Sequence, residues 1–232
     1  MKLAIGSSLK SIACCKPGRE SEPSQSLGIV SFRIDERLEA ARKILTANDV
    51  PWAVAGGWAI DLRLGYQTRE HADVDIAIWR ADQHKLRSAL LRDWMLEVAD
   101  NGTLRPWNPN EWLSLPIHEI HAHPVSGAQS AAFEFLLNER DDTAWVYRRD
   151  PGIRRDRDLA ILVRDTISFL APEIVLLYKS KRPRPTDEAD FRVALPALTT
   201  EQREWLRLAI TRSTSSHPWL DDLEDFKGVR AV

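Results

Sequence analysis

Trp52 to Trp79 reads WAVAGGWAIDLRLGYQTREHADVDIAIW, and this stretch decides the fold. Val50 to Ala55 is a short apolar run that ends at Gly56-Gly57, the pattern of a buried strand running into a turn. Trp58 to Leu64 then has helical character, and Gly65 is placed to stop it. Asp73 to Trp79 alternates polar and apolar residues, which is strand period. On such a strand Asp73 and Asp75 share one face, and Val74, Ile76 and Ile78 share the buried one.

Each half of the stretch implies chemistry. Unpaired backbone amides at a helix N-terminus sit at the positive end of a dipole and suit phosphate. Glycine lets a bulky anion approach closely. Two like charges on one strand face repel each other, and a bound cation offsets that cost. Carboxylate and phosphate oxygens together are the environment magnesium prefers. Alone, a glycine pair is more often a plain turn, and two aspartates are as readily a solvated strand face as a metal site. A third carboxylate would complete a metal site or take a proton from an attacking hydroxyl. Glu134 fits, because Phe133 and Phe135 claim the opposite face of its strand and a lone buried glutamate is costly. Glu119, in IHEIHAHP, is the rival.

Outward from this stretch, Phe32 to Asn48 carries Ile34, Leu38, Ala41, Ile44 and Leu45 at helical spacing. Asp82 is positioned to cap a helix bearing Leu86, Leu90 and Leu91. Trp94 to Val98, Ile117 to His123 and Ala131 to Asn138 read as strands, the last two joined by a turn over Pro124 to Gln129. Asn101 to Pro116 and Arg148 to Asp158 read as loops. Pro172 opens a helix, and Asp187 to Leu195 and Glu201 to Ile210 supply two more. Strands come early and helices late, so the expected fold class is α+β. The expected organisation is a flexible extension over 1–28, a mixed-sheet α+β domain over 29–160 and a helical region over 161–232.

With 232 residues, of which 44% are hydrophobic, the chain can build a core. A formal net charge of -2 argues against a general polyanion binder. Cys14 and Cys15 are the two cysteines, and as neighbours they make no disulfide framework, so a cytoplasmic setting is expected. No apolar run is long enough to span a membrane, and the first residues lack the apolar core of a signal peptide. Trp107 and Trp112 lie in a polar loop, where aromatics often meet a ligand.

GGWAIDLRLGYQTREHADVDIAI resembles the signature of the DNA polymerase β-type nucleotidyltransferase superfamily, in the form found in aminoglycoside 2″-O-adenylyltransferases and lincosamide nucleotidyltransferases. FEFLLNE, WVYRRDP and LAPEIVLLYKSKRPRPTDEADF resemble segments of bacterial members of the same group. The resemblance implies a polymerase β-like domain with a helical C-terminal region. It implies ATP or another NTP, two Mg2+ ions, and transfer of a nucleoside monophosphate to a hydroxyl with release of pyrophosphate. Carried over residue by residue, Gly56 and Gly57 would hold the β/γ phosphates, and Asp73 and Asp75 the metals. Glu134 would be the third carboxylate and base. Lys179 would contact phosphate from the helical region; otherwise it is a solvated lysine. Arg69 and His71 either touch the triphosphate or pair with Asp61 or Asp73 to fix the loop.

The acceptor does not carry over. An aminoglycoside- or lincosamide-like small molecule is the first expectation. The arginines at 148, 149, 154, 155 and 157 motivate an alternative, a toxin-like enzyme acting on tRNA or protein. A non-catalytic nucleotide-binding module is the alternative of another class. Glu119, His121 and His123 share a strand face. Their types admit zinc, but no distant Cys or His set completes such a site, and lining the acceptor pocket is the better use. Asp187 and Asp190, near Arg184, read as helix stitching. Oligomeric state is not legible.

Overall fold

A computed structural model describes residues 35–125, 132–214 and 216–225. The expected N-terminal extension, Cys14 and Cys15, and most of the turn after Pro124 lie outside the described residues. Asp35 caps α1 (Glu36–Ala47) by accepting from the Arg37 backbone, and Leu38, Ala41 and Leu45 form its buried stripe. β1 (Trp52–Val54), α2 (Gly56–Leu64) and β2 (Asp75–Trp79) follow in the order read from the sequence. Gly65 closes α2 with φ of 86°, a left-handed conformation that an L side chain resists.

Next come a tight turn at Arg80–Asp82, α3 (Gln83–Leu90), β3 (Trp94–Asp100), β4 (Thr103–Pro106), β5 (Glu119–Pro124) and β6 (Phe133–Arg140). Then follow β7 (Ala144–Val146), β8 (Arg154–Asp156), α4 (Arg157–Ala160), β9 (Ile161–Arg164) and β10 (Ile167–Leu170). α5 (Pro172–Ser180), α6 (Pro185–Ala194), α7 (Thr200–Ser213) and α8 (Trp219–Asp225) end the described chain. No helix among the described residues is long and apolar enough to cross a membrane.

The main sheet runs β4-β3-β5-β6-β2-β1-β10-β9, with β7 and β8 extending from the end of β6. It is mixed: β2 is parallel to β6 and antiparallel to β1, and β1 is parallel to β10. The parallel neighbours are reached by long connections, as parallel pairing requires. α2 packs on β2, β10, α5 and α6, so the helical third is tied to the glycine turn from the start. Buried on nearly every side, α5 has Ile174, Val175, Leu176 and Leu177 all in the core. Glu173 on this helix is fully buried and is held by Arg155 of β8 at 3.1 Å and Gln202 of α7 at 2.8 Å.

Several expectations need correction. β2 begins at Asp75, and Asp73 sits in an exposed bend before it, because the chain must turn out of the loop before it can join the ladder. Asp82 precedes α3 but makes no capping hydrogen bond; its carboxylate lies 3.8 Å from both Lys85 and Arg140. The stretch 101–116 contains β4, and 148–158 contains β8. Residues 161–170, assigned to the helical region by the expected boundary, form β9 and β10 at the sheet's edge. Trp107 is core rather than a ligand contact, 3% exposed, and its indole donates to the Glu111 carbonyl at 3.0 Å. Trp112 is half exposed and rests against His84.

Candidate active site

Three stretches meet at one end of the sheet. Asp75 is the register partner of Glu134 across the parallel β2–β6 pair, so both side chains leave the sheet on one face. Phe133 and Phe135 are buried on the other, as are Val74, Ile76 and Ile78. The Ala55 amide donates to the Asp75 carbonyl at 2.9 Å, which seats the start of α2 against the head of β2. Gly56 adopts φ of 58° there, and a Cβ at this position would overlap the Asp75 carboxylate. Gly57 is pressed in the same way against His71 and Arg69. The glycine pair is therefore required by the closeness of carboxylate and turn.

Asp73, exposed in its bend, is near enough to disfavour ionisation of both Asp75 and Glu134. Burial is the main cause that raises Asp75; Lys179 opposes it, and Asp73 adds to it. Glu134 is pushed up to about 7, first by burial and then by Asp75, Glu119 and Asp73. Glu119 behaves oppositely: a contact with His118, 3.4 Å away, outweighs burial and holds it below the usual carboxylate range. Glu119, His121 and Glu134 can bring one ligand atom each within 4.8 Å of one another. Both candidates for the third carboxylate thus sit at the site, but Glu134 is the one in register with Asp75, and Glu119 lies one strand farther out.

Arg69 and His71 spend their polar atoms on the protein itself. His71 Nε2 lies 2.5 Å from Asp61, which is fully buried and also accepts from the Thr68 amide and hydroxyl. Arg69 forks onto Asp190 at 2.8 and 2.9 Å. Lys179 is not a solvated lysine: it bridges Asp187 at 2.7 Å and Asp190 at 2.9 Å. Burial alone would raise Asp190, but Arg69 and Lys179 overcome it and hold it low. Asp187 also receives Arg184 at 2.9 Å. This chain of charges stitches α5 and α6 to the loop that carries Asp73, as read for Asp187 and Asp190. Arg37 was not foreseen; it donates to the carbonyls of Ala72 and His71 at 2.5 and 3.1 Å and so fixes the bend that presents Asp73. Nothing in its local pattern separates it from any other helix-surface arginine.

A cleft of about 450 Å3 opens over these residues. Gly56, Asp75 and Glu134 form its floor, and Tyr178, Lys179 and Arg148 are among its walls. The arginine run is not one surface. Arg148 and Arg149 face the cleft, Arg154 pairs with Asp141, and Arg155 is buried against Glu173.

The aminoglycoside-2''-adenylyltransferase family matches over residues 37–150. No curated protein matches the chain significantly. Among solved structures, ANT(2")-Ia in complex with adenylyl-2"-tobramycin aligns with a TM-score of 0.51 and 18% identity, over 78% of this chain and 100% of its own. The lincomycin-bound lincosamide antibiotic adenylyltransferase LnuA aligns with a TM-score of 0.50 and 19% identity, over 69% and 96%. Family match and fold agree with the motif that joins the glycine turn to Asp75: over residues 37–150 the chain is similar to the aminoglycoside-2''-adenylyltransferase family, and it has the fold of the aminoglycoside and lincosamide adenylyltransferases.

Proposed function

We propose that the protein transfers a nucleoside monophosphate, AMP from ATP, to a hydroxyl of a small molecule and releases pyrophosphate. The observation that carries this reading is the glycine turn pressed onto Asp75, with Glu134 in register beside it. The family match and the two antibiotic adenylyltransferases of the same fold support adenylyl as the group moved and a small molecule as its acceptor.

The donor set fits Mg2+. Asp73, Asp75 and Glu134 offer hard oxygen atoms, and burial first, then the neighbouring carboxylates, raises the last two. These three residues would hold the metal, two ions being the expectation. Bound Mg2+ would neutralise the triphosphate and acidify the acceptor hydroxyl.

The rest falls to the chain. The backbone amides that open α2 at Gly56 and Gly57 take the β/γ phosphates. Lys179, reaching the cleft from α5, adds positive charge beside them. Arg69 and His71 are positioning residues that hold the loop in front of Asp73. A Glu134 oxygen, in register beside Asp75, accepts the proton of the acceptor hydroxyl. The hydroxyl oxygen bonds to the α-phosphorus, the bond from that phosphorus to the bridging oxygen breaks, and pyrophosphate leaves with the electron pair.

Labelled ATP with a panel of hydroxylated acceptors tests the reading. Label should appear on an acceptor with stoichiometric pyrophosphate, and Asp73→Asn plus Asp75→Asn should abolish both. Unchanged turnover in that double variant would overturn the proposal.

A further inference from the structure

Four cations at the cleft, Arg148, Arg149, Lys181 and Arg182, have no carboxylate ion pair among the described residues. Their neighbours Lys179 and Arg184 are committed to Asp187 and Asp190. Arg148 and Arg149 instead stack on Tyr178, with guanidinium carbons 5.0 and 5.5 Å from the ring centre. Arg149 also donates to the Tyr147 hydroxyl at 3.0 Å, which fixes it in place. Lys181 is held below its usual range, chiefly by Arg149, then by burial, Arg182 and Arg148. Crowding of this kind costs stability unless a ligand of opposite charge occupies the space between.

The position of this charge separates it from the triphosphate end. His118, Arg148, Arg149 and Lys181 also line a second recess of about 510 Å3, together with Leu115 and Pro116. Gly56 and Asp75 line only the first. The basic wall therefore extends beyond the part of the cleft that Gly56 and Asp75 line. Glu119 also lines the cleft, and His118 is already in contact with it.

We propose that the acceptor is a hydroxylated small anion, bearing a phosphate or carboxylate that docks on Arg148, Arg149 and Lys181. This rests on the nucleotidyltransferase reading above and narrows its acceptor. A polyamine such as the tobramycin of the ANT(2")-Ia complex would bring ammonium groups against like charge. A small molecule fits better than RNA, because Arg154 and Arg155, next along the chain, are spent on Asp141 and Glu173 and so do not extend the basic surface.

The test uses the full chain with Mg2+ and a saturating non-hydrolysable ATP analogue, so that the triphosphate site is filled. Calorimetry then compares glucose with glucose 6-phosphate and with gluconate, alongside tobramycin and a short RNA. The anionic probes should bind about tenfold more tightly than glucose, the ratio of one half-buried charged contact. Arg148→Ala plus Lys181→Ala should erase that ratio and leave affinity for the analogue intact, and Arg148→Lys should restore part of it. Anion binding that the analogue displaces would hand these cations to the triphosphate and overturn the proposal. Tighter binding of tobramycin, glucose or RNA would also overturn it. If the analogue binds and the anions do not, this inference alone fails; if the analogue itself does not bind, the nucleotidyltransferase reading falls with it.

Discussion

Glu134→Gln should stabilise the metal-free protein while destroying its activity. Glu134 has an ordinary value of 4.5 and is pushed up to about 7 in the fold, by burial first and by Asp75, Glu119 and Asp73 after it. For a carboxyl raised on folding, the native state holds the proton over a range where the unfolded chain has released it. Stability is therefore fully present below 4.5 and is lost progressively as pH rises to about 7. That interval corresponds to about 3 kcal/mol. Part of the side chain meets solvent, which screens the charge and leaves roughly 2 kcal/mol. Glutamine keeps the shape and never ionises. Urea denaturation in EDTA should give equal unfolding free energies for wild type and variant near pH 4. At pH 8 the variant should be ahead by about 2 kcal/mol, and relief of Asp75 acts in the same direction. Excess Mg2+ should narrow or invert the gap, because a dication removes the cost of the Glu134 charge. A variant that is no more stable than wild type at pH 8 would refute the reasoning, as would an advantage that is largest at pH 4.

Gly56→Ala should lose nucleotide turnover and about 1–2 kcal/mol of stability, since φ of 58° disfavours an L residue and the new methyl must displace the Asp75 carboxylate. Turnover within twofold of wild type, measured as pyrophosphate release, would contradict the close fit. Asp190→Ala should cost about 3 kcal/mol in chemical denaturation, because it strands Arg69 and leaves Lys179 with Asp187 alone. Trp107→Ala should cost about 3–5 kcal/mol as a core deletion, whereas Trp112→Ala should stay within about 1 kcal/mol. Equal effects at the two tryptophans would contradict their different burial.

The grouping of Gly56, Asp75 and Glu134 was legible in the sequence because backbone geometry enforces it. Strand alternation places Glu134 opposite Phe133 and Phe135 whatever the tertiary context, and parallel pairing with β2 then delivers it beside Asp75. The glycine pair is legible for the same reason, since only glycine fits against the carboxylate. Asp73 escaped the pattern because period 2 was extended one turn too far into the loop, and no local signal marks where a ladder begins. Trp107 was misplaced because polar neighbours say nothing about which way a single aromatic turns; α3 decides that by placing Arg87 over the ring, 5.5 Å from its centre.

The acceptor side was illegible for a different reason. An arginine run from 148 to 157 looks like one basic surface, but each residue's partner comes from elsewhere in the chain. Glu173 of α5 and Glu201 of α7 remove Arg155, Asp141 removes Arg154, and only Arg148 and Arg149 remain to meet Lys181 and Arg182 at the cleft. Charge in sequence is a sum, whereas charge at a site is what is left after long-range pairing, and only that remainder selects a ligand. In a chain with a net charge of -2, the remainder at this cleft is positive. If the acceptor is the anion proposed above, the residues that select it lie just before β5, in the β7–β8 connection and just past the end of α5, away from the motif that reveals the chemistry.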